Sequence, residues 1–322
     1  MSDRVNTASR QAGPPGSYNT AGSEGTRPSA EKEGRAICRF VLYLGAEVPV
    51  SSLVTEPVNS IIHQSFHSHE REEPLNGDGF GLAWYAPEVS AEPALFKDIT
   101  PAWNNMNLLS LSRVTRSSCI LAHVRAASPG LPVIQLNCHP FVRGPMAFMH
   151  NGRAGGFHRI RRSLLRGLSD DAFSSIYGST DSEHVFALFL DRYKGLPEGL
   201  GRSEALARAL TAAIVEVEGL KGEAGVEEPS LFNIAVTDGN CAAVSRYVSR
   251  GHERANSLYV HSGGVCVCSE GRLRLEEPRQ GREAVIIASE PLTTDDEWTE
   301  VASNTIVTID EDLRVEARPI TL

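Results

Sequence analysis

The pattern of hydrophobic and polar positions changes character at Ala36. Residues 1–37 are dominated by Gly, Ser, Ala, Thr and Pro, with almost no large apolar side chain. Such a segment cannot bury enough surface to order itself. Beyond it, apolar runs recur to the C-terminus. Ala36-Ile37-Cys38-Arg39-Phe40-Val41-Leu42-Tyr43 reads as an opening strand. Residues 54–66 predict a short helix. Asn76-Gly77-Asp78-Gly79-Phe80-Gly81 predicts a tight turn into the strand Leu82-Ala83-Trp84-Tyr85, and residues 104–116 a helix with Leu108, Leu111 and Val114 at helical spacing. Residues 119–125 and 146–149 read as buried strands, the second stopping at His150-Asn151-Gly152. Residues 157–168 form a basic helix, and Thr180-Asp181-Ser182-Glu183 opens another as a capping box. Residues 203–218 are an amphipathic helix. Strand-like runs follow at Leu231–Thr237, 241–248, 257–261, 284–289 and Thr305–Ile309, parted by turns such as Asp238-Gly239-Asn240. Strands in both halves with helices between fit an α+β layering of two antiparallel sheets covered by helices.

Composition narrows the classes. The 322 residues, 41% hydrophobic, are enough for one large domain or two modest ones, and the net charge of −9 argues against nucleic acid and anionic membrane as partners. No stretch approaches the 18 apolar residues of a membrane span, and the N-terminus lacks a secretory apolar region. Six cysteines lie scattered without a C-x-x-C pair, and Cys266-Val267-Cys268 alternates along a strand, poor spacing for zinc. Reduced thiols in a cytoplasmic protein fit this usage. His67-Ser68-His69 reads as solvated loop histidines in preference to a metal site. The glycines of residues 76–81 precede a strand and not a helix N-terminus, which excludes a phosphate cradle. No cofactor and no metal are expected.

Four positions carry chemistry. Cys38 reads as a small buried strand residue. If it heads the chain, its α-amine, with a pKa near 8, also serves as the base for its own thiol. Arg125 ends a strand, where arginines usually meet solvent, yet its guanidinium fork also suits a carboxylate. Asn151-Gly152 reads as a turn signal, or as an oxyanion hole built from the Asn151 amide and the Gly152 N–H. Asp181, in the first turn of its helix, serves the cap and also suits a substrate ammonium.

These residues fall in a recognisable order. Cys38-Arg39-Phe40, Gly77-Asp78-Gly79-Phe80-Gly81, His123-Val124-Arg125, Asn137-Cys138-His139-Pro140-Phe141, His150-Asn151-Gly152 and Thr180-Asp181-Ser182-Glu183 together resemble a class II glutamine amidotransferase domain, an N-terminal-nucleophile hydrolase. The resemblance runs from Cys38 to about Leu190 and more loosely to Ala288-Ser289-Glu290-Pro291-Leu292, a mark of small stand-alone members. It implies a four-layer αββα fold. It further implies that Cys38 is the nucleophile, that Asn151 and Gly152 are the oxyanion donors, that Arg125 with Ser128 beside it holds the substrate α-carboxylate, and that Asp181 holds the α-ammonium. Residues 76–81, 99–105, 148–152 and 178–183 resemble more narrowly the amidotransferase-like subunits of fungal glutathione-degradation complexes. These cleave the γ-glutamyl bond of glutathione beside a metallopeptidase-family partner subunit.

With no synthase domain following, hydrolysis of a γ-glutamyl amide such as glutathione is expected. The alternatives are a glutaminase serving a separate synthase, or a silent partner-binding subunit. Stand-alone members begin Met-Cys, whereas Ile37 precedes Cys38 here. The expected division is therefore a disordered leader or pro-segment, 1–37, and an amidotransferase-like domain, 38–322. The leader's five basic and four acidic residues leave open a pro-segment that is removed, a tail, an organellar address or a misplaced start.

Overall fold

A computed structural model describes residues 38–67, 75–127, 130–249, 255–269, 272–276, 283–294 and 297–321. In chain order its elements are β1 (Arg39–Pro49), α1 (Ser51–Val54), α2 (Ile61–Phe66), β2 (Phe80–Trp84), β3 (Ala94–Asp98), α3 (Met106–Val114), β4 (Arg116–Val124), β5 (Phe141–Arg143) and β6 (Met146–Arg153). There follow α4 (Phe157–Gly167), α5 (Asp170–Phe173), α6 (Asp181–Lys194), α7 (Arg202–Glu223), β7 (Leu231–Thr237), β8 (Ala242–Val248), β9 (Tyr259–Ser262), β10 (Val265–Ser269), β11 (Arg272–Glu276), β12 (Ala284–Ala288), β13 (Thr299–Glu300), β14 (Thr305–Ile309) and β15 (Val315–Pro319).

Two antiparallel sheets form, in the orders β13-β9-β12-β1-β4-β2-β3 and β15-β14-β8-β7-β6-β5, with β10-β11 as a separate hairpin. Side chains alternate across each strand with period two, and the buried clusters follow that alternation. Val41 and Tyr43 of β1 pack with α1, α2 and α3 on one outer face. Phe40, Leu42 and Leu44 face inward and meet Ala147 and Met149 of β6, Ala235 of β7 and Val244 of β8. Phe148, Phe232 and Ile234 turn the other way, into α4, α6 and α7. The result is four layers, αββα, as the sequence led us to expect.

Several boundaries differ from expectation for physical reasons. The helix expected at 54–66 is two helices, α1 and α2. Pro57 lies between them and has no N–H to continue a helix, and Ser60 restarts it by accepting from His63 N at 3.3 Å. The helix expected at 104–116 begins at Met106, because the Asn105 side chain caps it by accepting from Leu108 N at 2.8 Å. The edge strands β3 and β15 are half-exposed and mixed in composition, so their sequences carry no clear alternation. Most consequential is β6. It does not turn at Asn151-Gly152 but runs through both, pairing Asn151 with Asn233 and Gly152 with Phe232 of β7.

Candidate active site

The inward-facing rows change chemistry at one end of the sandwich. In β1 the row Leu44, Leu42, Phe40 continues to Cys38. In β4 the row Cys119, Leu121 continues to His123 and Arg125. In β6 the row Ala147, Met149 reaches Asn151, and in β12 the row Val285, Ile287 reaches Ser289. Period two thus brings five polar residues from both sheets to the end of one apolar filling. Neither a helix pattern nor a single motif reveals that meeting.

Cys38 is partly buried, and its Sγ lies 3.6 Å from Ala126 O, in the loop that follows Arg125. Its carbonyl oxygen accepts from Arg39 Nη1 at 3.0 Å. Arg39 Nε in turn pairs with Glu290 Oε1 at 2.7 Å, and both side chains are almost fully buried. The residue after the candidate nucleophile is therefore clamped to the Ser289-Glu290 segment.

Arg125 is 3% exposed, contrary to the ordinary behaviour of a strand-end arginine. Its backbone is held on both sides by the glycine turn, with Arg125 N donating to Gly79 O at 2.9 Å and Asp78 N donating to Arg125 O at 3.1 Å. Asp78 also steadies the following loop, where its Oδ2 accepts from Ala127 N at 2.8 Å. Gly79 has φ +109°, and a Cβ there would come within 2.8 Å of Cys138 Sγ. The guanidinium lies 3.4 Å from Asp78 O and against Cys138. No carboxylate pairs with it among the described residues. A buried cation without an anion is costly, so this guanidinium is ready for an anionic ligand.

Asn151 is fully buried. Its Nδ2 lies 3.4 Å from Ser289 Oγ, and that hydroxyl accepts from Phe40 N at 3.1 Å. One serine side chain thus joins the strand of Cys38 to the strand of Asn151, across the two sheets. Asn256 Nδ2 donates to Asn151 O at 3.4 Å, and Ser257 Oγ donates to Ser289 O at 2.9 Å. Beside Asn151, Gly152 is packed so tightly that a Cβ would fall 1.8 Å from Leu231 O.

Asp181 stands at the first position of α6. Its Oδ2 accepts from Ala154 N at 2.7 Å, and its Oδ1 accepts from Ser182 N at 2.8 Å. It therefore reaches the site through the chain leaving Asn151-Gly152, not through Cys38 or Arg125. A carboxylate offers about four lone-pair sites, so these bonds leave capacity for an ammonium. The expected capping box is half formed. Thr180 Oγ1 accepts from Glu183 N at 3.2 Å, but the Glu183 carboxylate turns to Tyr177 N and Gly178 N at 2.9 and 2.6 Å. Ser128 and residues 1–37 lie outside the described residues, as does most of His67-Ser68-His69.

Three buried histidines back this wall. His123 Nε2 lies 3.2 Å from His150 O, His123 stacks on His139 at 4.3 Å, and His150 bridges Ser182 Oγ at 2.9 Å and Leu231 O at 3.0 Å. Burial pushes the His123 imidazole down to about 3 and holds His139 well below the usual range. It lowers His150 as well, against the opposing pull of Asp181. All three are neutral at pH 7. Among the described residues no group of His, Cys, Asp and Glu is arranged to hold a metal, and no helix is long and apolar enough to cross a membrane.

The chain matches a known family. A model for class II glutamine amidotransferases fits residues 52–317. The chain belongs to that family. As a class II glutamine amidotransferase it is an amidohydrolase-type enzyme, although Cys38 precedes the matched stretch. It is 43% identical over 293 residues to the Saccharomyces cerevisiae protein named probable glutamine amidotransferase DUG3, covering 85% of this chain and 82% of the relative. It is 27% identical over 285 residues to the γ-glutamyl-hercynylcysteine sulfoxide hydrolase of Mycolicibacterium smegmatis, covering 88% of this chain and all of the other. Among solved structures, a glutamine aminotransferase class-II domain protein from Silicibacter pomeroyi matches with TM-score 0.60 at 25% identity, over 88% of this chain and 100% of that one. The Bacillus subtilis glutamine phosphoribosylpyrophosphate amidotransferase matches with TM-score 0.55 at 14% identity, over 88% of this chain and 50% of that one, and shares the fold.

Sequence reasoning missed three of the residues around the site. Asn233, Ser257 and Arg246 received no role. For Asn233 and Arg246 the available signal was a polar side chain at an inward position of an otherwise apolar strand, where Asn is depleted; Ser257, ahead of β9, carried no such signal. Asn233 Nδ2 donates to Asn256 O and Ser257 O at 3.1 and 3.0 Å, and Arg246 Nε donates to Asn256 O at 2.8 Å.

Proposed function

We propose that the mature chain begins at Cys38 and hydrolyses the γ-glutamyl amide bond of glutathione or a related γ-glutamyl thiol. The observation that carries this reading is that the inward-facing rows end in Cys38, Arg125 and Asn151 at one end of the inter-sheet filling, with Arg125 buried and without an anionic partner among the described residues. The mycobacterial relative, named for hydrolysis of a γ-glutamyl cysteine derivative, supports a hydrolase over an ammonia donor.

The Cys38 thiol attacks the γ-carbonyl carbon while its proton passes to its own α-amine. Negative charge forms on the former carbonyl oxygen, and Asn151 and the Gly152 N–H supply donors there. Collapse breaks the C–N bond, and the α-ammonium returns the proton to the departing amine. Water, giving a proton to the same amine, then hydrolyses the thioester and releases glutamate. Arg125 and Ser128 hold the substrate α-carboxylate, and Asp181 holds the α-ammonium, which fixes the γ-carbonyl over the sulfur. A metallopeptidase-family partner subunit completes the assembly, in keeping with the fungal complexes that the sequence resembles.

The test is glutamate release by protein that starts at Cys38, with glutathione and with glutamine, in the presence and absence of a partner subunit. Release from glutathione at a rate well above that from glutamine is expected. No release from any γ-glutamyl compound in either setting contradicts the reading.

A further inference from the structure

The Asn151 amide has two orientations that fill the same volume and differ only in hydrogen bonding. With Nδ2 toward Ser289, Oδ1 is buried with no partner among the described residues, and a buried acceptor left unmade is costly. Ser289 Oγ already accepts from Phe40 N at 3.1 Å, so the hydroxyl's own proton remains to be given. With Oδ1 toward Ser289, that proton is used and the buried acceptor is satisfied. Nδ2 then occupies the position that has no partner among the described residues, a buried donor of the kind that a developing oxyanion requires.

We infer that Ser289 is a positioning residue that sets the Asn151 amide with its N–H groups toward the substrate. This rests on the γ-glutamyl hydrolase reading above and goes beyond it, because Ser289 touches no reacting atom. The serine is itself fixed at every polar atom. Its N donates to Phe40 O at 3.0 Å and its O accepts from Ser257 Oγ at 2.9 Å. Asn233 holds Ser257 O and Asn256 O, and Asn256 Nδ2 reaches Asn151 O at 3.4 Å. Arg246, only 3% exposed, donates to Asn256 O at 2.8 Å and pairs with Glu300 at 2.8 Å. The hydroxyl therefore stands at a fixed point between the nucleophile strand and the oxyanion strand. Without it, the productive orientation leaves Oδ1 buried and unbonded, and the amide turns the wrong way.

The experiment is a double-mutant cycle on the mature protein, reading kcat and KM for glutathione. Ser289→Ala is expected to lower kcat by roughly tenfold with KM nearly unchanged, less than the roughly 10²–10³ that loss of an oxyanion donor costs in Asn151→Ala. In the Asn151→Ala background, Ser289→Ala is expected to cost nothing further, since a residue acting through another loses its effect when that other is gone. A loss that multiplies with the Asn151→Ala loss, or a kcat for Ser289→Ala equal to that of the wild type, overturns the inference. If Ser289→Ala does not fold, the nearly isosteric Ser289→Cys, a weak donor, gives the same cycle. Wild-type kcat there is equally fatal. Inactive wild-type protein removes the underlying hydrolase reading as well, whereas active wild type with multiplicative losses removes only the role of Ser289.

Discussion

Arg39 and Glu290 form a buried ion pair, Nε to Oε1 at 2.7 Å, one residue from the candidate nucleophile and 251 positions apart in sequence. The pair closes the first strand of the domain onto the segment that follows β12, and Arg39 also holds the Cys38 carbonyl. Removing one partner leaves a buried charge uncompensated, which typically costs about 3–5 kcal/mol. Glu290→Ala is therefore expected to lower stability by that order in urea denaturation. Replacing Arg39 and Glu290 together by apolar residues of similar volume recovers most of the stability but not the activity. Unchanged stability in Glu290→Ala contradicts this account of the clamp.

Arg125→Lys keeps the charge and loses the fork. Hydrogen bonds to charged groups are worth about 1.5–3 kcal/mol, so KM for γ-glutamyl substrates is expected to rise by roughly ten- to a hundredfold, with a smaller change in kcat. A substrate analogue lacking the α-carboxylate should separate the variants further. The wild type is expected to discriminate strongly against it, and Arg125→Lys only weakly. Equal discrimination by both proteins places the carboxylate elsewhere.

Gly152→Ala drives a Cβ to 1.8 Å from Leu231 O and 2.7 Å from His150 Nε2. The nearest atom is backbone in the β6–β7 ladder and cannot step aside cheaply. The expected loss is at least the roughly 1–3 kcal/mol of ordinary overpacking, seen as a lower melting temperature together with lost activity. Gly219 in α7 is the control, because a Cβ there meets nothing within 4 Å. Gly219→Ala is expected to stabilise by roughly 0.5–1 kcal/mol.

Acid stability follows from the histidine wall. His123, with its folded pKa pushed to about 3, stays neutral in the folded chain while the unfolded chain takes up a proton near pH 6.5. The unfolded state thus binds more protons between those values, and stability falls as pH drops from about 6.5 toward 3. His139 and His150, also lowered by burial, act in the same direction. The charges facing these rings are Arg125 and Lys97, which oppose protonation, and Asp181, which favours it at His150. Glu183, raised by burial, pulls the other way. Urea titrations at pH 7, 5 and 4 should show a falling midpoint that flattens in His123→Asn. A midpoint independent of pH in this range counts against a neutral buried wall.

Much of this arrangement was legible before any coordinates, and the limits are physical. The position of Cys38 at the head of the domain, the strand-end place of Arg125, the Asn151-Gly152 dipeptide and the family order of motifs pointed to these residues. The burial of Arg125 was not legible, because its cover comes from Gly79 and Cys138, far away in sequence. The continuation of β6 through Asn151-Gly152 was hidden by a dipeptide that locally favours a turn, overridden here by pairing with β7. Ser289 and Glu290 were visible only as part of a motif. Their roles depend on Phe40, Arg39 and Asn151 arriving from other strands, a relation that no local spacing encodes.

The most direct test of the central claim is intact-protein and peptide mass spectrometry of the mature chain after reaction with an electrophilic glutamine analogue. The account predicts a chain whose first residue is Cys38, labelled once, on that sulfur, and no label in Cys38→Ser. Active enzyme that retains residues 1–37, or that is labelled at a residue other than Cys38, contradicts it.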